Sequence, residues 1–190
     1  MSIVKENKTN QRITLTKRLL QEALIRLMND KDIANISVSE LCKEAGINRT
    51  TFYYHYGNQH DVLQEMEMSM LEELRRCLST GEGRSTRRDK TVAMFRYLQE
   101  NAEWAKLMFC NSRREAVFAE KLFALTVQIR QEEHTELHTP QEMLLGTFLA
   151  NGSYAMIRYW LLNGMPFTPE QMGDLIQYMA TSGWQNMIDA

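Results

Sequence analysis

Between Arg49 and His55 the chain reads Arg-Thr-Thr-Phe-Tyr-Tyr-His, six side chains able to form directional hydrogen bonds around one phenylalanine. As a helix this stretch is about two turns long. Arg49 can donate two hydrogen bonds to a guanine edge, and Thr50 and Thr51 each offer a hydroxyl and a methyl that suit adenine or thymine. Tyr53, Tyr54 and His55 have polar tips that reach phosphate, a contact that sets register without reading sequence. Phe52 and Tyr56, four apart, are suited to anchoring the helix from its other face. This is recognition chemistry rather than bond-making chemistry.

Bond-making sets are harder to find. The chain has no glycine-rich phosphate loop and no serine or cysteine elbow, and two of its 4 histidines, His55 and His60, lie in or beside the stretch just described. An enzyme is therefore the weaker reading, and no cofactor is expected. His134 and His138 stand at i and i+4 among Glu132, Glu133 and Glu136, a spacing that can bring two ligands to one metal. No third ligand is evident, so the segment reads as a solvated helix end and no metal site is expected. Cys42, Cys77 and Cys110 are far apart and form no C-x-x-C pair, which argues against a disulfide framework or structural zinc. They read as small packing residues, a redox-sensing thiol being the alternative.

The elements that must position Arg49 to His55 are short and well punctuated. Leu20, Ala23, Leu24 and Leu27 recur at helical spacing and predict a first amphipathic helix over Thr16 to Met28. After a polar connection, Ser37 with Glu40 forms a capping-box pattern that opens a second helix. Leu41 and Ala45 supply its inner face, and Gly46 stops it with a residue tolerant of positive φ. Asn48 then caps the helix that carries Arg49 to Tyr56, until Gly57-Asn58 breaks it. Two short helices flanking a glycine turn have the dimensions of a helix-turn-helix, whose second helix enters the major groove with its N-terminal residues at base edges.

Leu63, Met66, Met70, Leu74 and Leu78 predict a long fourth helix ended at Gly81-Glu82-Gly83, a candidate joint. Further helices are predicted over Arg87 to Glu100, Glu103 to Cys110, Arg113 to Leu137, Pro140 to Asn163, and Thr168 onward, with Pro140 and Thr168-Pro169-Glu170 as start signals and Gly164 with Pro166 as a stop. The fold class is therefore all-α, about nine helices. Residues 1–60 form the helix-turn-helix domain, and residues 61–190 a C-terminal helical bundle.

Only 9 Gly and 3 Pro, against 44% hydrophobic residues, fit long helices with few breaks. The net charge of -2 hides an asymmetry: residues 1–60 carry 9 Lys/Arg against 6 Asp/Glu, while residues 61–190 carry 13 against 18. A basic module on an acidic body suits a nucleic-acid binder. No run of eighteen apolar residues and no apolar N-terminal segment is present, so no membrane partner and a cytoplasmic location are expected.

Ser37 to Leu63, Ser-Val-Ser-Glu-Leu-Cys-Lys-Glu-Ala-Gly-Ile-Asn-Arg-Thr-Thr-Phe-Tyr-Tyr-His-Tyr-Gly-Asn-Gln-His-Asp-Val-Leu, closely resembles the signature of the TetR family of one-component bacterial regulators. The resemblance covers the whole module, with a helix before it and a long helix after it in the family's order. By position it implies that Ser37 caps the second helix at the phosphate backbone. It likewise implies that Asn48, Arg49, Thr50, Tyr53, Tyr54 and His55 contact double-stranded operator DNA. Two departures stand out. Tyr56 occupies a position where the family usually has phenylalanine, and Gln59 one where it usually has lysine against a phosphate. The loss of that charge should remove about one counterion's worth of salt-dependent affinity, which Asn58 or the helix N-terminus partly replaces.

Phe148 to Ile176, with Asn151-Gly152, Trp160, Asn163-Gly164-Met165 and Thr168-Pro169-Glu170, resembles one C-terminal subclass of the same family. There the last two helices pair with their twins in a homodimer. The stripe Leu145, Leu149, Gly152, Met156 and Trp160 and the stripe Met172, Leu175, Ile176, Met179 and Met187 would supply that interface, with intramolecular core as the alternative. Met94, Phe95, Trp104, Met108, Phe109, Phe118, Phe123 and Tyr154 form a pool from which an effector pocket would draw, or a filled core. The resemblance implies a repressor released from a pseudo-palindromic operator by an unknown small molecule. The alternative is a regulator or coactivator controlled by a protein partner.

Overall fold

Where glycine and proline are absent, the helices run on. The computed structural model describes residues 2–79, 86–111, 114–133 and 136–188, with the backbone alone over 2–10 and 182–188. Among these residues are nine α-helices, one 3-10 turn and no strand. The helices are α1 (Ser2–Asp30), α2 (Val38–Ala45), α3 (Arg49–His55), α4 (Gln59–Leu78), α5 (Arg87–Glu100), α6 (Ala102–Cys110), α7 (Glu115–Glu132), α8 (Pro140–Leu162) and α9 (Pro169–Ile188). The chain divides into two compact units, residues 1–69 and 70–190, with the division inside α4. The Gly81-Glu82-Gly83 segment and His134 lie outside the described residues, as does the Met187 side chain.

In the first unit α1 packs on α2, and α2 on α3. Leu20, Ala23 and Leu24 are wholly buried, as their spacing predicts. The helix is longer than Thr16 to Met28 because nothing from Ser2 to Leu15 interrupts it, and a nucleated helix extends at little cost. The connection after it is less irregular than expected. Asp32 accepts a hydrogen bond from the Ala34 N–H and caps a 3-10 turn over Ile33–Asn35, which buries Ile33 and is followed by buried Ile36. Ion pairs join the elements: Lys17 to Glu65 (2.9 Å), Arg26 to Glu44 (2.7 Å), and Lys31 to Glu40.

In the second unit α5 lies along α9, and α6 contacts both α7 and α8. Gly173 makes the first of these pairings possible, since a Cβ there would sit 2.5 Å from Val92 Cγ2. Arg96 on α5 pairs with Glu170 on α9 (2.6 Å), and Arg88 with Asp174. Phe95 meets Trp160 edge-to-face at 5.1 Å, and Phe109 meets Phe118 at 5.0 Å. Such pairs add about 0.5–1.5 kcal/mol beyond the area they bury. Full capping boxes open α5 (Thr86, Asp89) and α8 (Thr139, Glu142). α7 stops at Glu132, before the expected Leu137, because Glu133 leaves the helical region (φ -89, ψ 2). α8 ends in the expected glycine, with Gly164 at φ 75 and the Met165 N–H returning to Trp160 O (2.8 Å).

Candidate nucleic-acid interface and ligand cavity

The α2–turn–α3 segment is set by short-range bonds that the residue types dictate. Ser37 Oγ accepts from the Glu40 N–H at 3.1 Å, satisfying one of the orphan donors at the helix start. The expected box is only half formed: the Glu40 carboxylate turns instead to Lys31, whose hydrogen bond and charge hold its pKa below the ordinary glutamate range. An ammonium in reach outcompetes a neutral N–H for a carboxylate. Gly46 closes α2 in the left-handed region (φ 66, ψ 28), and its N–H bonds to Lys43 O at 3.3 Å. A side chain there would face open space, so the glycine serves backbone conformation and not packing.

Asn48 caps α3, its Oδ1 accepting from the Thr50 N–H at 2.8 Å. Both caps thus use their oxygen as acceptor inside the fold, which leaves the Ser37 hydroxyl proton and the Asn48 amide protons to donate outward. Phe52 is wholly buried and Tyr56 nearly so, with ring centroids 5.7 Å apart. Burial, aided by the nearby Glu65 carboxylate, pushes the Tyr56 phenol well above its ordinary range, so it stays protonated. The Lys17 ammonium lies 5.6 Å from the Tyr56 ring centroid, a cation–π contact that draws α1 to this anchor. With one face of α3 fixed, the other is presented. Arg49, Thr50, Thr51, Tyr53 and Tyr54 are exposed, Tyr54 at 80%, while His55 is half-buried with its ring edge-on to Tyr54 at 5.0 Å.

Gln59 is half-buried at the first position of α4. Sequence reasoning missed how that helix is capped. Asn58 Oδ1 accepts from the His60 N–H (2.8 Å), and the Asp61 carboxylate accepts from the N–H groups of Gly57 (2.8 Å) and Asn58 (3.1 Å). Two of the backbone donors near a phosphate that would replace the lysine are thus held by a negative charge, and a third by a neutral amide oxygen. Asn at N-cap and Asp three residues on was the available signal.

The second unit contains a cavity of about 710 Å³ between α5, α7, α8 and α9, with Leu78 of α4 on its wall. Met94, Phe123 and Tyr154 line it. Trp104, Met108, Phe109 and Phe118 do not: all four are buried in the core where α6 meets its neighbours, Phe109 lying 5.4 Å from Tyr154. The pool of aromatic and methionine residues is therefore divided between wall and filling. Two charged wall residues, Arg87 and Arg130, went unnoticed in the sequence. The signal was present, since Arg87, Thr91 and Met94 share one face of α5 at i, i+4 and i+7.

The α8 and α9 stripes also need correction. Trp160 is 1% exposed and Met172 2%, so neither offers side-chain area to a second copy. Leu149 and Ile176 line the cavity; Leu145, Gly152 and Met156 are half-buried, and Leu175 and Met179 are exposed. The outward apolar face of α8 is instead Leu144 (73% exposed), Phe148 (72%), Tyr159 and Leu162, joined on α9 by Leu175, Tyr178 and Met179. No helix among the described residues is long and apolar enough to cross a membrane, and none of their His, Cys, Asp and Glu side chains cluster to hold a metal.

Comparison with known proteins matches two family models. Residues 20–66 match "Bacterial regulatory proteins, tetR family", and residues 86–182 match "Transcriptional regulator C-terminal region" of the same family. An uncharacterized HTH-type transcriptional regulator of Bacillus subtilis (strain 168), YxbF, is 36% identical over 63 residues, 33% of this chain and 17% of that protein. The chain thus spans under a fifth of that relative's length. Among solved structures, a TetR transcriptional regulator from Streptococcus agalactiae 2603V aligns over 96% of this chain and 98% of its own, at TM-score 0.63 and 23% identity. The dihydroxyacetone kinase operon activator DhaS aligns over 88% and 95%, at TM-score 0.61 and 20% identity. At these identities the likeness is one of fold.

Proposed function

The chain belongs to the TetR family and is a DNA-binding transcriptional regulator; from that premise we propose a cytoplasmic homodimeric repressor that a small molecule releases from a pseudo-palindromic operator. In this reading Arg49, Thr50 and Thr51 read base edges from the first turn of α3. Ser37, Asn48, Tyr53, Tyr54 and His55 bind the phosphates on either side. Gln59 adds a neutral contact. The exposure of five of the six polar side chains of α3's outer face, with His55 half-buried, against the burial of Phe52 and Tyr56, supports this division.

The apolar face of α8 and α9 supports dimerisation, because four large apolar side chains of α8 stand more than 60% exposed along one helix. A contiguous patch of that kind marks an association surface. A two-fold dimer requires half-sites about one helical turn apart.

The observation that carries ligand control over control by a protein partner is the cavity itself. Its volume lies in the range of small-molecule sites. Leu78, in the last turn of α4, lies on its wall. Since α4 continues without a break into the helix-turn-helix unit, a ligand that favours one arrangement of its last turn shifts the DNA-binding equilibrium by its differential affinity for the two states, and by no more. Sequencing random DNA selected by the purified protein tests the reading. An enriched inverted repeat with half-sites about one turn apart is expected; enrichment of a lone half-site, or none, counts against it.

A further inference from the structure

The wall that α8 gives the cavity is made mostly of small residues. Gly146, Ala150, Ser153 and Ile157 all line it and fall at i, i+4, i+7 and i+11, one inward stripe whose first three members leave room. A Cβ on Gly146 would sit 2.4 Å from Leu137 Cδ1, so Gly146 marks the end of the cavity where Glu136 and Leu137 join the wall. Ser153 lies seven residues farther along α8, about 10 Å from that end. Phe123 stands equally far along α7 from Arg130, and its ring lies 6.1 Å from that of Tyr154, the neighbour of Ser153. The cavity thus has a charged end, with Arg87, Arg130 and Glu136, and a far end formed by Ser153, Phe123, Tyr154 and Ile157.

At the far end one hydroxyl is uncommitted. Thr91, Thr126 and Thr147 donate to carbonyls one turn back, those of Arg87 (3.0 Å), Phe123 (2.8 Å) and Met143 (2.8 Å), a common arrangement for a hydroxyl within a helix. Tyr154 donates to Glu115 O (3.0 Å), and burial pushes its phenol up to about 12, so it stays neutral. Ser153 is half-buried on the same wall and makes no hydrogen bond with any described residue, not even with the carbonyl four residues back. The other polar wall groups stand elsewhere: Arg87, Gln131 and Asn151 are exposed, and Arg130 is engaged within the chain. The unspent Ser153 proton suits an acceptor oxygen on a ligand. A charge set beside it would lose its water about 10 Å from the charged side chains of the wall, at high cost.

We propose that the effector of this regulator is an uncharged, largely apolar molecule with a carbonyl group, its oxygen accepting from Ser153 Oγ and its apolar body laid against Phe123, Tyr154 and Ile157. The proposal rests on the reading of the cavity as the effector site and makes Ser153 the residue that selects the ligand. A ligand hydroxyl in place of the carbonyl would leave one proton of the pair buried and unpaired. Selection falls to a hydrogen bond and to apolar contact, not to charge.

Calorimetric titration of the full chain with benzophenone, its hydrocarbon counterpart diphenylmethane, and the anion diphenylacetate, each within its solubility, tests the proposal without DNA. Benzophenone should bind once per chain, and diphenylacetate at least about tenfold more weakly. Ser153→Ala should weaken benzophenone about 2–10-fold and leave diphenylmethane unchanged, whereas a loss of packing alone would move both. Alanine is the better helix former, so the variant keeps α8 intact. Failure of benzophenone to bind, diphenylacetate binding as tightly, or a Ser153→Ala change that weakens both neutral probes alike or neither overturns the proposal. If benzophenone binds as expected but leaves affinity for the selected operator unaltered, the ligand assignment stands and the release mechanism under Proposed function falls.

Discussion

Trp160 and Phe148 occupy one helix, both large and aromatic, and truncating each should have opposite kinds of consequence. Trp160 is 1% exposed, packs edge-to-face on Phe95 at 5.1 Å, and donates from Nε1 to Phe167 O at 2.8 Å. Trp160→Ala should destabilise the chain by about 3–5 kcal/mol, the range for deleting a buried large aromatic. Of this, about 0.5–1.5 kcal/mol is the aromatic pair. The lost hydrogen bond adds toward the low end of about 0.5–1.5 kcal/mol, because Phe167 is 47% exposed and water can replace the indole N–H. Total stability of a domain is about 5–15 kcal/mol, so the loss is large. Phe148 is 72% exposed within the chain; Phe148→Ser should change the stability of a single chain by about 0.5 kcal/mol or less. If α8 pairs two copies, the same change should weaken the dimer at least about tenfold, since burying an aromatic side chain contributes about 1.5–3 kcal/mol per copy. Urea unfolding followed by circular dichroism at several protein concentrations separates the two effects, with sedimentation velocity giving the association state. A Trp160→Ala loss under about 1 kcal/mol, or one that vanishes at high concentration, would refute its placement in the core.

Three further outcomes are expected. Gln59→Lys should steepen the salt dependence of DNA affinity by about 0.9 logarithmic units without altering sequence preference, measured by anisotropy across a salt series; an unchanged slope means α4 does not approach phosphate. Asp89 and Glu142 are held below their ordinary pKa values by backbone N–H donors at Thr86 and Thr139. A depressed carboxyl stabilises the fold fully above its ordinary range and loses that contribution as pH falls through it, so the urea midpoint should be flat from pH 7 to about 5.5 and decline below about 4.5. The pair Asp89→Asn with Glu142→Gln should flatten that decline. Finally, Cys42 is 3% exposed and its thiol is pushed up by burial, so in the native chain at pH 8 it should react with Ellman's reagent only on unfolding. Reaction at the rate of free cysteine would revive a redox-sensing role.

The parts of the molecule readable from sequence are those governed by bonds between near neighbours. Gly46, Asn48 and Ser37 announce the turn and its caps because each solves a local backbone problem with its own atoms. Phe52 and Tyr56 announce the anchor because an outward face that polar leaves no other apolar pair. The long-range choices were less readable. Along α8 the apolar residues Leu144, Leu145, Phe148, Leu149, Met156, Ile157, Tyr159, Trp160, Leu161 and Leu162 leave no polar side to orient the helix, and periodicity alone could not say which face turns inward. The face chosen from sequence contains Trp160, which is core; the exposed face begins one residue earlier, at Leu144. In the same way Phe109 and Phe123 look alike in sequence, yet one fills the core and the other lines the cavity. Glu40 differed from expectation because its competitor, Lys31, comes from nine residues away across the 3-10 turn.

The central claim is that the first turn of α3 reads base edges while the rest of the module holds phosphate. Its most direct test is the affinity of Arg49→Ala, against the parent chain, for the selected operator and for random duplex at one salt concentration. Loss of about 1–3 kcal/mol, roughly 5–150-fold, on the operator with a much smaller loss on random DNA, and relaxed preference at one base of each half-site, is the predicted result. An equal loss on both duplexes, or none on either, would contradict it.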